Sequence, residues 1–436
     1  MSAERTPPSG AVTATGVPTG GTGADGAGAP RPARRLIGVD AARGLALFGM
    51  VAVHTLPSWD EQTGDATLSW TLFAGHSAAL FATLAGVSLA FASGGRTPRT
   101  GRRMTASRWA LAGRAGTIAL VGFLLGFLEL PVSNILIYYG VLFLLAIPFL
   151  RLRTRSLLLC AALFALVAPF LMQWSVDVLP GLEYENPSLL DVVLDPGTVL
   201  SQLLLTGVYP ALPWMAFLLA GLAVGRTDLT SRRVQTLLAT IGAAVALLVW
   251  SASVLAVQVL GGYEAIAAGT PWMDEAQIDE VMVFGGDPTL PTDTLWWLLV
   301  STPHTNTPFF LLLNVGVALS VLGVCLLLER VAGRILAPLA AAGAMTFTLY
   351  TAHLLVLWPE YYDLAPAAWT VGQLVLFTAF ALLWRRARGQ GPLEVVVTRS
   401  TWAISRRVLA RGADGTQPPV LSGTAPGPDR TRDPTT

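Results

Sequence analysis

The sequence predicts an all-α polytopic transmembrane helical bundle of about ten spans with both termini cytoplasmic, and three observations carry that prediction. The 436-residue chain is 53% apolar and only 13% charged. Several of its apolar runs exceed the roughly 18 residues that suggest a membrane helix. All 28 basic residues are arginine, and they fall in alternate connections, the asymmetry that orients helices in a bilayer.

The spans are expected at 36–57, 69–93, 107–130, 132–150, 155–174, 198–224, 233–260, 306–328, 336–358 and 365–386. The first carries Asp40 and Arg43 and lacks the short apolar core of a signal peptide, so it stays in the protein. The second connection holds Arg96, Arg99, Arg102, Arg103 and Arg108, and the turn between the fourth and fifth spans holds Arg151, Arg153 and Arg155. Arg226, Arg232 and Arg233 follow the sixth span, Arg330 and Arg334 separate the eighth from the ninth, and Arg385 closes the tenth. With the N-terminus inside, all of these are cytoplasmic. The opposite connections, 58–68, 175–197, 263–305 and 359–364, contain no arginine and several carboxylates. Within the sixth span, Pro210 and Pro213 remove backbone donors, which predicts a kink or break. The 263–305 segment is too long for a turn and is expected to cap an outer opening.

Outside residues 35–388, the transmembrane domain, the composition changes. Residues 1–34 are rich in Gly, Ala, Pro and Thr and read as a disordered cytoplasmic tail, as does 412–436. Residues 389–411 mix apolar side chains with Arg399, Arg406 and Arg407 and read as a segment on the cytoplasmic surface. The net charge of +1 conceals a separation of charge across the membrane and gives no reason for a nucleic-acid partner. Cys160 and Cys325 lie within spans as small apolar side chains, with no structural disulfide expected.

The polar residues inside the spans point to chemistry. Arg43 and His54 have ten residues between them, and eleven helical positions bring them to one face about 16 Å apart along the axis. Asp40 shares that face. Ionisable groups at such depth cost on the order of 3 kcal/mol each and normally face a bundle interior or a wet cavity. The four histidines, His54, His76, His304 and His353, all fall in the outer half. Thr346, Tyr350 and His353 form a polar stripe at i, i+4 and i+7, while Asn314, Tyr138 and Tyr139 add hydrogen-bonding groups that need partners. Two readings stand for each: His54 and His76 as wetted interfacial residues or proton carriers, and His353, Tyr350 and Asn314 as helix-to-helix ties or parts of a site. Asp40 and Arg43 read either as an ion pair at a helix end or as a binding site. No helix carries paired histidines at metal-ligand spacing, so no metal is expected.

The stretch from Gly38 through Asp40 and Arg43 to Met50 resembles bacterial membrane proteins related to the heparan-alpha-glucosaminide N-acetyltransferase catalytic domain. So do Gly75–Phe81 running on to Ser88, Tyr209–Trp214 with Gly221–Arg226, and Gly343–Tyr350. Gly391–Glu394 looks like the C-terminal signature of the YeiB-like group, and Arg43-x10-His54 is similar to the motif of the acyltransferase-three family. The resemblance implies a multi-pass protein of the bacterial cytoplasmic membrane, with acyl-CoA as cosubstrate, no bound cofactor, and a sugar or glycan acceptor on the far side. It implies His54 as general base, with His353 and Tyr350 orienting it or stabilising the oxyanion. Asp40, Arg43, His76, Asn314 and His304 would then bind donor or acceptor. The lysosomal relatives keep their catalytic histidine in the first luminal loop, and the corresponding 58–68 segment here has none. The expected activity is transfer of an acetyl or short acyl group. A transporter or exporter lined by the kinked sixth span, or a non-catalytic membrane partner, are the alternatives.

Overall fold

The computed structural model describes residues 36–286 and 289–410; the stretches read as tails, 1–34 and 412–436, lie outside the described residues. The described residues form sixteen α-helices. In chain order they are α1 (Ile37–Thr55), α2 (Leu68–Phe73), α3 (His76–Ala92), α4 (Gly101–Leu125), α5 (Ile135–Ala146), α6 (Thr154–Val176), α7 (Leu189–Leu194) and α8 (Pro196–Ser201). There follow α9 (Ala211–Gly225), α10 (Arg232–Val254), α11 (Gly262–Gly269), α12 (Glu275–Phe284), α13 (Pro308–Gly343), α14 (Thr346–Leu357), α15 (Pro366–Arg388) and α16 (Pro392–Ala410).

Seven helices are long and apolar enough to cross a membrane, and the bent pair Pro196–Thr206 with Ala211–Gly225 makes an eighth. The other two expected spans coincide with shorter apolar helices, Ile135–Arg151 and Thr346–Leu357. The expected break near 329–335 is a single non-helical residue, Ala332, inside α13. The chain then stays helical to Gly343, and a second break at Ala344–Met345 starts α14. In the bent span the two prolines do different things. The helix ends in a turn of π-helix at Thr206 and resumes at Ala211 with Pro210 as N-cap, bent by 49°. Pro213 falls in the first turn of α9, where an unpaired N–H is normal, so it does not bend the chain.

The core is built around α1, which packs against α3, α13, α14 and α15, while α9 packs against α3, α5 and α6. Small residues allow these contacts. A Cβ on Gly221 of α9 would run into the Thr83 carbonyl of α3, and one on Gly86 into the Leu218 carbonyl, so the two backbones touch directly. Around this core the outer faces are apolar and exposed: Leu159 and Leu163 on α6, Leu247 and Leu248 on α10, Leu376 and Leu383 on α15. Hydrocarbon is the solvent that such a surface requires. The 263–305 segment folds as α11, α12 and a 3-10 turn at Leu295–Leu299, with its own small core of Val257, Ile266, Ile278, Leu290, Trp297 and Val300.

Gly221→Ala is expected to destabilise the detergent-solubilised protein by about 1–3 kcal/mol, because a backbone carbonyl cannot move aside as a side chain can. Gly372→Ala on α15, where an added Cβ meets nothing within 4 Å, should instead raise the thermal midpoint slightly through helix propensity. Melting curves of both variants check the pair.

Candidate active site

The polar groups of α1 find partners on other helices and in its own first turn. Asp40 and Arg43 form an i, i+3 ion pair at 2.8 Å, with side chains only 6% and 22% exposed. Arg43 also donates to the hydroxyl of Ser88 on α3. At the other end of α1, His54 Nδ1 lies 3.0 Å from His353 Nε2, and the two imidazoles stack at 5.2 Å with planes 8° apart. His353 is fully buried, and its Nδ1 lies 2.8 Å from the Gln373 Oε1 of α15. Thr55 and Thr370 join hydroxyls at 2.6 Å one residue beyond, tying α1 to α15 at the same level.

These contacts fix a proton pattern. A carbonyl oxygen only accepts, so with Gln373 Oε1 facing it His353 carries its proton on Nδ1 and presents a lone pair at Nε2. His54 then donates from Nδ1, which leaves His54 Nε2 as an unprotonated base. His54 is half-buried, whereas His353 and Gln373 are buried.

Between the two ends of α1 lies a cavity of about 200 Å3 lined by Arg43, Ser88, Arg114, Tyr139, Tyr350 and Glu394 among others. Arg114 comes from the middle of α4, its guanidinium 5.2 Å from the centre of the Phe143 ring and its Nε buried without a hydrogen-bond partner. The Tyr139 hydroxyl is likewise buried and unpartnered. Glu394, at the start of α16, accepts from the Phe347 and Thr348 N–H groups at 2.8 and 3.2 Å and from the Thr348 hydroxyl at 2.6 Å. That carboxylate caps α14 and so holds the helix that carries both Tyr350 and His353. The Tyr350 ring stands 6.4 Å from the His353 ring, which joins the cavity to the histidine chain.

Two further histidines belong to a separate place. His76 opens α3 and pairs through Nδ1 with Asn314 Oδ1 at 2.6 Å. Asn314 Nδ2 donates to the Phe310 carbonyl at 2.9 Å, which orients the amide and puts the His76 proton on Nδ1. His76 lines a second cavity of about 330 Å3 with Trp70, Trp250 and Phe310. His304 sits in a loop where it and Asn306 both take positive φ, 61° and 55°. Asn306 secures this loop by accepting from Trp214 Nε1 at 2.7 Å and donating to the Val208 and His304 carbonyls. The Val208 contact also satisfies a carbonyl freed by the break before α9. Burial, and then the neighbouring His76, push the His304 imidazole down to about 4. No group of three or more His, Cys, Asp or Glu side chains among the described residues is arranged to hold a metal ion.

Of the residues singled out in the sequence, Arg43, paired with Asp40, meets Tyr350 at the cavity, and His54 and His353 bond directly. His76 with Asn314 lies apart, and His304 beside His76. Arg114 and Gln373 escaped the sequence reading, and Glu394 entered it only as the end of the Gly391–Glu394 signature, with no role attached. Arg114 was legible by the same rule that drew attention to Arg43, an ionisable residue deep in an apolar run. Gln373 gave no such signal, because a neutral amide on a long amphipathic helix is unremarked until its partner is known.

Residues 35–272 match the family model described as heparan-alpha-glucosaminide N-acetyltransferase, catalytic. No individually curated protein matches the chain. The matching residues include Arg43, His54, Ser88, Arg114 and Tyr139, while Tyr350, His353, Gln373 and Glu394 come from the part beyond them.

The lowered His304 value has a consequence for stability. The unfolded chain takes up this proton near pH 6.5 and the folded one near 4, so the stability present above pH 6.5 is lost as pH falls toward 4. Asn tolerates positive φ, and His304→Asn is therefore expected to lose less thermal stability than the parent between pH 7 and pH 5. Equal losses in the two proteins would show that His304 does not stay neutral in the fold.

Proposed function

The chain belongs to the heparan-alpha-glucosaminide N-acetyltransferase catalytic family, and from that premise we propose that it moves an acetyl or short acyl group from cytoplasmic acyl-CoA to a sugar or glycan on the other side of the bacterial plasma membrane. The observation that carries this reading is a single cavity with arginines along it and a histidine chain beyond its tyrosine end. Arg43 and Arg114 suit the anionic and amide-rich donor, since guanidinium groups bind oxyanions through paired N–H donors. Both lie toward the arginine-rich connections, the end assigned to the cytoplasm.

In the reaction, His54 Nε2 takes the proton of the acceptor hydroxyl or amine as the acceptor attacks the thioester carbonyl carbon. The His54 Nδ1–H bond to His353, held by Gln373, keeps the ring in the tautomer that can do this. The carbonyl oxygen becomes negative, and the unpartnered Tyr139 hydroxyl is placed to donate to it. The carbon–sulfur bond then breaks. The thiolate leaves with the proton held on His54, giving acylated acceptor and free CoA. Tyr139, Tyr350 and Phe347 wall the cavity at the end nearer the histidine chain.

A transporter would use the bent span as a substrate path. Here the break is filled by buried Tyr209 and Trp214, and Asn306 bonds to the Val208 carbonyl, which favours a structural bend.

His54→Ala is expected to lower acyl transfer from radiolabelled acetyl-CoA by about 10²–10⁴-fold in membranes that still contain the protein. Gln373→Leu should lower kcat with little change in KM for the donor, since it frees the tautomer without touching the cavity. Arg43→Gln should raise the donor KM. Undiminished transfer by His54→Ala would remove it as the base.

A further inference from the structure

A third cavity, of about 350 Å3, lies on the arginine-rich side of the one already described and shares Arg114 with it. The helices that wall the two are the same. On α4, Ser107 and Leu111 face the third cavity, Arg114 both, and Ile118 the first. Those positions form one face of the helix about 16 Å long. On α3, Ala85 and Ser88 line the first cavity and Leu89 and Ala92 the third. On α16, Glu394 lines the first, and Thr398, Thr401 and Trp402 the third, again at helical spacing. Two chambers bounded by continuous stripes of three helices and joined at one side chain make one passage.

The chemistry of the third chamber differs from that of the first. Arg99 is at its mouth, donating to the Ser107 hydroxyl at 3.0 Å, and Arg114, with its buried unpartnered Nε, is at its inner end. Trp402 supplies a flat aromatic wall, with the Arg406 guanidinium 3.9 Å from its ring centre. Cationic side chains at both ends and an arginine-backed indole between them suit a ligand that combines phosphates with an aromatic base.

We propose that this chamber binds the adenine nucleotide portion of the donor, its base on Trp402 and its phosphates toward Arg99 and Arg114, and that α16 is therefore a wall of the substrate site. The inference rests on the acyl-CoA reading above; Arg99 and Arg114 lie within 35–272, the part that the family model matches, and Trp402 on α16 lies beyond it. It also gives α16 two tasks on one face: Glu394 secures the α14 helix of the histidine chain, and Trp402, two turns on, meets the nucleotide. Binding at one end of α16 then bears on the helix that positions His353.

The test uses the full-length protein in detergent and two measurements. In the first, adenosine 3′,5′-bisphosphate, which lacks the pantetheine arm, is titrated into the parent, Trp402→Ala and Arg99→Gln. Binding by the parent that weakens about tenfold in Trp402→Ala is expected, within the range that base–aromatic stacking supplies. No binding by the parent, or equal binding by all three, overturns the proposal whether or not transfer is detected. In the second, kcat/KM for acetyl-CoA is compared with that for acetyl-pantetheine, which has no nucleotide. The ratio should fall about tenfold in Trp402→Ala. A variant that loses activity equally with both donors would show α16 to be a structural brace and overturn the assignment. A parent that binds the bisphosphate yet transfers from neither donor would instead overturn the acyltransferase reading and leave the nucleotide chamber supported.

Discussion

A helix that carries Asp40, Arg43 and His54 into hydrocarbon survives only if other helices bring partners to each of them, and the bundle is arranged around that requirement. Arg43 receives Asp40 from its own turn and Ser88 from α3. His54 receives His353 from α14, which in turn leans on Gln373 of α15. Even the amide of Gly38, at the start of α1, donates to the Glu329 carboxylate of α13 at 2.9 Å. Each bond ties α1 to a different neighbour, so satisfying its polar groups also fixes which helices surround it. The apolar contacts then need only close the spaces, and glycines such as Gly221 let the backbones approach enough to do so.

The same constraint separates the two ends of the site by chemistry. Toward the arginine-rich connections the polar groups are permanent cations and their partners, suited to anions. Toward the other end they are two imidazoles and an amide joined in one hydrogen-bonded chain. Burying a charge is costly, whereas a hydrogen-bonded chain of neutral groups is not, and this explains why the acid–base end is built from His54, His353 and Gln373 with no carboxylate among their hydrogen-bond partners. Tyr139 and Tyr350, both buried, line the cavity between these ends.

What the sequence made legible follows from how local each signal is. Apolar length, arginine placement and the i, i+11 relation of Arg43 and His54 are properties of one segment, and the helices found at the ten expected positions reflect that. The break in α13 was harder, because Ala332 interrupts the helix at a single residue and Arg330 and Arg334 look the same in a loop or in a bent helix. Pro213 looked like a helix breaker, and its position in a first turn was decided by where the π-helical turn before it ended. Partnerships were harder still. The bond between His54 and His353 spans 299 residues, and Glu394 reaches back 47 residues to cap α14. A hydropathy pattern has no means of expressing either. The outer-half clustering of the histidines was visible, but not that His76 turns away to Asn314 and a different cavity.

The division of the site between the two parts of the chain bears on how its chemistry is assigned. His54 and both cavity arginines lie within 35–272, while its hydrogen-bonded chain, His353 and Gln373, and the carboxylate that secures α14, Glu394, all lie beyond it. A base without its orienting partner is free to present either nitrogen, so the matched part supplies a histidine and the remainder supplies its proton state. This gives a physical reason for the chain to continue past the matched part, with α13, α14 and α15 packed onto α1 and α16 packed onto α4. It also shifts where specificity is to be sought. In the proposed reaction Arg43, Arg114 and Tyr139 of the matched part would meet features shared by any acyl thioester, whereas the wall of α16 lies outside that part.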